Sequence, residues 1–359
     1  MKVCSECFED TDIKQRIRSI NKKGTCDIHN EINYIYDTDL DEGLKDDFEI
    51  LYSIYKKDED GKYKDSSNLK NTYTSLKEDW NIFSFKPKPE DIRKFLSSLL
   101  EKTLPKNVNT IIPELESEEE ISKQSMLGNH TWEDFCEHIK YDNRFYNDYF
   151  SQDIFLNFLK WTQVSIKEGT VLYRSRIYDG MGKYQSKDMK MPPKNLVHPG
   201  RLNSDGIGVL YTSSSRDITV NEIRPDVGDE VATAELTVKR DLNIADLTKL
   251  DNIPVFGSDV DSEFLVKYQI NRDILNSISS QMEEPSGSQC NNLDYLPTQY
   301  ISDFIKLEYD GIKYGSTLIS KEDPDYNQDY NLALFSDKDV EVNNISYKKI
   351  KSRKYAYYD

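Results

Sequence analysis

Five polar residues in the C-terminal part of the chain have types that suit one reaction. Arg174 sits in Leu172-Tyr173-Arg174, and Arg201 in Pro199-Gly200-Arg201-Leu202-Asn203. Tyr211 ends the apolar run Val209-Leu210-Tyr211, and Glu222 follows in Asn221-Glu222-Ile223-Arg224-Pro225. Ser316 closes the run Asp310-Gly311-Ile312-Lys313-Tyr314-Gly315-Ser316. Guanidiniums bind phosphate oxygens through paired hydrogen bonds. A phenol can stack on a ring, and a carboxylate can stabilise a sugar that turns cationic. Together they suit cleavage of a glycosidic bond beside a pyrophosphate, as in NAD. The leaving nicotinamide is already cationic, so this cleavage needs no strong general acid, unlike glycoside hydrolysis with its two carboxylates.

Gly200 beside Arg201 lets the backbone come close to a ligand. Arg174 ends a predicted strand, and Arg176, two residues on, shares its face. Either could face a cleft, and Arg174 is the preferred one. Glu222 falls near the end of a predicted helix. The competing carboxylate, Glu235, falls on a strand and faces away from its alternating apolar neighbours. Ser214 or Ser215 fits a helix N-cap before Asp217. There is no G-x-G-x-x-G after a strand, no Walker A run and no nucleophile elbow. Cys136 and Cys290 have no supporting signal and read as inert thiols.

The stretch from Gly200 to Pro225 resembles the RES domain, a family named for its Arg, Glu and Ser. The family shows Gly-Arg-aromatic-Asn, a Gly, an apolar strand ending in Tyr, and a helix carrying Glu. A second matching stretch is Tyr295-Leu296-Pro297-Thr298-Gln299-Tyr300, followed by a helix and the run to Ser316. The resemblance covers roughly residues 165 to 345, and Leu202 stands where many members carry an aromatic. It implies an α+β domain with an ADP-ribosyltransferase-like split β-core and a cleft for NAD. It also implies an NAD+-degrading enzyme that passes ADP-ribose to phosphate or water. Arg201, Tyr211, Glu222 and Ser316 would be catalytic, and Arg174, Arg201, Tyr211 and Asn203 would contact NAD+. By resemblance such proteins are bacterial toxins that deplete NAD beside an antitoxin with a helix-turn-helix domain. This chain carries no clear helix-turn-helix, so a neutraliser would be separate. Two alternatives stay open: a protein ADP-ribosyltransferase on the same cleft, and a non-catalytic NAD-binding sensing module.

Several elements must position these residues. Gly169–Arg174, Val209–Thr212, Val231–Val238, Leu242–Leu247 and Gly311–Leu318 read as strands, and Leu332–Phe335 is expected to close the sheet. Helices are expected at Ser215–Ile223 and Gln299–Lys306. Trp132 to Trp161 is a helical stretch dense in aromatics, read as packing between an N-terminal part and the catalytic domain.

The N-terminus carries a different chemistry. Cys4-Ser5-Glu6-Cys7 and Cys26-Asp27-Ile28-His29 are two knuckles with two-residue spacers, a tetrahedral zinc pattern. Four protein ligands leave no open position, so structural Zn2+ is expected on Cys4, Cys7, Cys26 and His29. Ile13, Ile17 and Ile20 recur at helical spacing between the knuckles. Residues 31 to about 112 read as helical, with apolar stripes in Phe48–Tyr55 and Lys88–Leu100 and an exposed loop at Lys56–Asn71. Glu114 to Glu120 reads as a solvated linker or helix start. Helical regions behind a zinc knuckle occur in longer RES proteins and have been related to HEPN domains. None of His29, His130, His138 and His198 has the Arg spacing of a HEPN ribonuclease site. The expected division is a zinc knuckle at 1–30, a helical HEPN-like domain at 31–160 and the RES catalytic domain at 161–359.

Net charge is −17, with 64 acidic and 47 basic residues, which argues against a nucleic-acid or anionic-membrane face. A local basic pocket for a dinucleotide remains open. Hydrophobic residues make up 37%, but 24 Tyr and 14 Phe can bury large areas. The five cysteines, the absence of an apolar leader after Met1 and the lack of a spanning apolar run set the expectation of cytoplasmic residence with reduced thiols.

Overall fold

The computed structural model describes all residues except 58–69, 79, 105–108, 112–117, 258, 285–291, 316–328 and 353–359. Ser316 and Cys290 therefore lie outside the described residues. The chain forms two units, one of Met1–Gln124 with Pro254–Asn271 and one of Ser125–Ile253 with Arg272–Asp359.

In the first unit, β1 (Lys2–Cys4), β2 (Lys23–Thr25) and β3 (Ile32–Asp37) form an antiparallel sheet in the order β1-β3-β2. Between β1 and β2 runs α1 (Thr11–Ser19). Its N-cap is Asp10, whose carboxylate accepts from Ile13 N at 2.9 Å. Ile13 and Ile17 are buried as their spacing predicts, and Ile20 is exposed because the helix ends before it. The expected helical region holds α2 (Lys45–Ser53), α3 (Thr72–Glu78), α4 (Pro89–Leu99) and α5 (Glu118–Gln124). It also holds β3 and a small sheet of β4 (Lys56–Lys57), β5 (Lys70–Asn71) and β6 (Asn109–Ile111). Pro89 opens α4, where its missing N–H costs nothing, and Asp91 accepts from Lys88 N at 3.0 Å. The buried face of α4, Ile92, Phe95, Leu96 and Leu99, brings Phe95 against Phe8 and Phe48 at 5.7 and 5.5 Å.

The second unit contains α6 (Trp132–Glu137), α7 (Gln152–Thr162), α8 (Arg216–Glu222), the end of α9 (Ser262–Glu283) and α10 (Leu296–Glu308). Its strands are β7 (Gln163–Ile166), β8 (Val171–Ile177), β9 (Leu210–Ser213), β10 (Glu230–Val238), β11 (Leu242–Asp246), β12 (Gly311–Tyr314), β13 (Asn331–Leu334) and β14 (Val340–Lys349). They make one eight-stranded sheet in the order β14-β10-β8-β9-β13-β12-β11-β7. All pairs are antiparallel except β11 with β12. The fold class is thus α+β, as the sequence indicates.

One expectation fails. Leu332–Phe335 does not close the sheet, because β13 lies inside it between β9 and β12. The edge strand next to β10 is β14, whose Val-Glu-Val-Asn-Asn-Ile pattern is too polar to read as apolar strand. The aromatic helices pack inside this unit. Phe135 and Phe150 meet Tyr300 of α10 at 5.6 and 6.0 Å, and Phe150 stacks on Phe304 at 6.1 Å. This brace matters because the opposite face of α10 holds the loop that carries Arg201. No helix among the described residues is long and apolar enough to cross a membrane.

Candidate active site and metal centre

The sheet parts at one place. β8 and β9 share a single register pair, Tyr173 with Ser213. The next backbone groups on each strand therefore need other partners, since buried polar groups are costly when unpaired. Side chains supply them. The Ser175 amide donates to Thr219 Oγ1 of α8 at 3.0 Å, and Arg174 Nη1 donates to the Tyr211 carbonyl at 3.3 Å. α8 thus fills one side of the split, and the other side opens as a cleft of about 650 Å3. That volume lies in the range of ligand sites.

Arg174, Arg176, Arg201, Tyr211 and Glu222 all line this cleft. Arg174 Nε is buried with no hydrogen-bond partner among the described residues. Burial first, and then the neighbouring Arg176, bring its pKa down to about 10, so it stays a cation at neutral pH. A half-buried cation on a cleft wall is complementary to an anionic ligand. Arg176 faces the same space while donating Nη1 to Asp188 O at 2.6 Å.

Arg201 comes from a tight loop. Gly200 and Asn203 pair with each other, with Gly200 N donating to Asn203 O at 2.9 Å. A side chain at 200 would place its Cβ 2.7 Å from Asn203 Oδ1 and 3.0 Å from Tyr211 Oη, so glycine is required there by close approach. α10 holds the loop from behind. Gln299 Nε2 donates to Gly200 O and Asn203 O at 2.7 and 2.9 Å, Thr298 Oγ1 to Arg201 O at 2.7 Å, and Ser302 Oγ to Leu202 O at 2.9 Å. Arg201 itself donates Nη1 to Met282 O at 2.5 Å. Gln299→Ala removes the donor to two carbonyls of a buried loop. Each carbonyl keeps its backbone partner within the loop, so we expect a loss of about 1–3 kcal/mol, the net worth of two hydrogen bonds, as read by denaturant unfolding.

Tyr211 links that loop to β9. Its hydroxyl accepts from Leu202 N at 3.0 Å and donates to Asn203 Oδ1 at 2.9 Å. Burial pushes its pKa up to about 12, so the phenol is a neutral donor at physiological pH. Asn203 is itself buried and spends Nδ2 on His198 O at 3.0 Å and Ser204 O at 3.2 Å, which makes it a loop anchor. Tyr314 of β12 also lines the cleft, and burial raises its pKa.

Glu222 is the last residue of α8, exposed to the cleft, and its Oε1 accepts from Asn331 Nδ2 at 2.7 Å. Glu235 is engaged elsewhere, in an ion pair with Arg216. Ser215 is the N-cap of α8, accepting from Ile218 N at 3.4 Å, as its position suggests.

The RES domain family model matches residues 171–355, from the first residue of β8 to beyond β14. The chain belongs to the RES domain family. No match was found among curated proteins or among solved structures. Of the residues singled out in the RES domain by sequence, Arg174, Arg201, Tyr211 and Glu222 meet on one cleft. Asn203 supports that cleft from the loop, and Ser316 lies outside the described residues. Sequence reasoning passed over Asn331, Thr219 and Gln299 of the RES domain. Asn331 opens β13, and nothing in the sequence around it marks it as more than a strand end.

The four N-terminal ligand candidates also meet. Cys4, Cys7, Cys26 and His29 have their ligand atoms within 4.8 Å of one another and could hold a metal ion. Cys4 Sγ lies 3.9 Å from Cys7 Sγ and 3.0 Å from His29 Nε2, and Cys7 Sγ lies 3.5 Å from Cys26 Sγ. Tetrahedral ligands at metal–sulfur distances of about 2.3 Å would stand about 3.8 Å apart, so the donors fit a single ion. Bonding to Cys26 holds the Cys4 and Cys7 thiols above their ordinary range, and bonds from Cys4 and Cys7 bring Cys26 below it. His29 Nδ1, on the far side of the ring, lies 3.3 Å from Glu31 Oε2 but makes no hydrogen bond among the described residues.

Proposed function

We propose that the RES cleft binds NAD+ and that the protein breaks the nicotinamide–ribose bond, passing ADP-ribose to phosphate or water. The observation that carries this reading is the meeting of Arg174, Arg201, Tyr211 and Glu222 on one cleft in a RES domain. Arg174 and Arg201 would hold the pyrophosphate from the cleft wall. Tyr211 would face the nicotinamide or the ribose. The ribose–nitrogen bond breaks with its electron pair passing to the pyridinium, which leaves neutral. Positive charge then develops on the ribose, where the Glu222 carboxylate stabilises it. An oxygen of phosphate or water forms the new bond, and with water a proton is released. Such an activity fits an NAD-depleting bacterial toxin or defence effector, restrained by a separate partner. The N-terminal centre would hold zinc as a structural ion, since sulfur and imidazole suit it and four protein ligands leave no open position.

The test is incubation of the purified protein with NAD+, with and without inorganic phosphate, followed by mass spectrometry. Nicotinamide release that is lost in Glu222→Ala supports the reading. Phosphate-dependent ADP-ribose phosphate would identify a phosphorylase, and free ADP-ribose a glycohydrolase. Intact NAD+ in both tubes, with folded and metal-loaded protein, would overturn the reading. Labelled protein instead of small products would redirect it to protein ADP-ribosylation.

A further inference from the structure

We infer that Asn331 is a positioning residue for Glu222, holding the carboxylate toward the cleft without neutralising it. This rests on the NAD-cleavage reading above. Asn331 is the first residue of β13 and is 2% exposed. It is fixed on both sides, in register with Ser213 of β9 and Tyr314 of β12. Ser213, Asn331 and Tyr314 thus form a row across the sheet, and all of them line the cleft.

Both ends of the amide are used. Nδ2 donates to Glu222 Oε1 at 2.7 Å, and Oδ1 accepts from Ser213 Oγ at 2.7 Å. The opposite amide orientation would set Oδ1 against a carboxylate oxygen, acceptor to acceptor. The ionised carboxylate therefore selects the orientation observed. A rigid partner matters for Glu222. It ends a seven-residue helix, is exposed, and its side chain has several rotamers to lose. A rigid interior strand supplies what the short helix cannot. The choice of an amide also matters. A lysine or arginine would hold the carboxylate equally well but cancel the charge that the ribose cation requires, whereas a neutral donor leaves it in place.

The test separates positioning from folding. Asn331→Ala and the similarly sized, apolar Asn331→Leu each remove the donor. Both are expected to lower kcat for NAD+ cleavage by about 10²-fold, the scale of a misplaced catalytic group, with KM changed less than about 3-fold. In a Glu222→Gln background, Asn331→Ala should add little, because the group it positions is already lost. A fall of the same size in that background, or a change carried by KM alone, would overturn the role. So would full activity in either folded variant. If Asn331→Ala fails to fold, Asn331→Leu decides. Absence of turnover in the parent protein would overturn both the reading and this role, whereas turnover in the parent with unaffected variants would overturn this role alone.

Discussion

Glu222→Gln is expected to lower kcat for NAD+ cleavage about 10²–10³-fold while KM changes little, the scale seen when one preorganised electrostatic group is removed. The substitution is nearly isosteric, and glutamine Oε1 can still accept from Asn331 Nδ2, now 2.7 Å from the carboxylate. What changes is the charge. In the ground state the positive charge lies on the pyridinium, and in the transition state it has moved to the ribose. A carboxylate beside the ribose therefore acts mainly in the transition state, and its loss falls on kcat. Arg174→Met provides the contrast. It removes a half-buried cation of the cleft wall, which would contact the unreacting pyrophosphate in ground and transition states alike. Its loss is expected to raise KM by about tenfold or more and to spare kcat. Steady-state kinetics with a nicotinamide readout checks both. Equal kcat for wild type and Glu222→Gln would remove Glu222 from the chemistry.

How much of this was legible in sequence depends on how each residue is held. Arg201, Tyr211 and Glu222 lie near one another in sequence, within local patterns of glycine, apolar strand and short helix, and those patterns can be read. Arg174 could be picked out, but not distinguished from Arg176, since period two puts both on one face and the structure places both on the cleft. Asn331 was illegible because its meaning comes from two strand pairings more than a hundred residues distant, with Ser213 and through it the split beside β8. The long α9 was also missed. Its buried positions Leu265, Tyr268, Leu275, Ile278 and Met282 keep helical spacing, but the stripe is interrupted by the buried polar Asn271. That residue donates to Gln124 O and Lys267 O, both at 2.8 Å, an arrangement that tertiary structure alone reveals. β14 was lost for a related reason: an edge strand half open to solvent can carry Asn343, Asn344 and Lys348 without penalty.

Removing the metal is expected to have the largest effect on the N-terminal structure. The sheet there consists of strands of three, three and six residues, β1, β2 and β3. Strands this short are marginal without a further tie. Cys4, Cys7 and Cys26 are fully buried, so the loss of a cation would leave three crowded sulfurs and an imidazole with no common partner. In small zinc-dependent modules binding of the ion is worth roughly 10–16 kcal/mol, which is folding free energy. The aromatic cluster of Phe8, Phe83 and Phe95 lies directly after the first knuckle, with Phe8 5.2 Å from Phe83 and 5.7 Å from Phe95, and would keep part of that unit together. Strong chelation, or Cys7→Ser, should therefore melt residues 1–37 locally, exposing α1 to protease and amide exchange, while the RES sheet keeps its protection. Elemental analysis should find one zinc per chain in the parent protein and none in Cys7→Ser. Protein that contains no metal yet shows the same exchange protection over β1, α1 and β3 would make the four residues a reduced thiol cluster and end the structural-zinc reading.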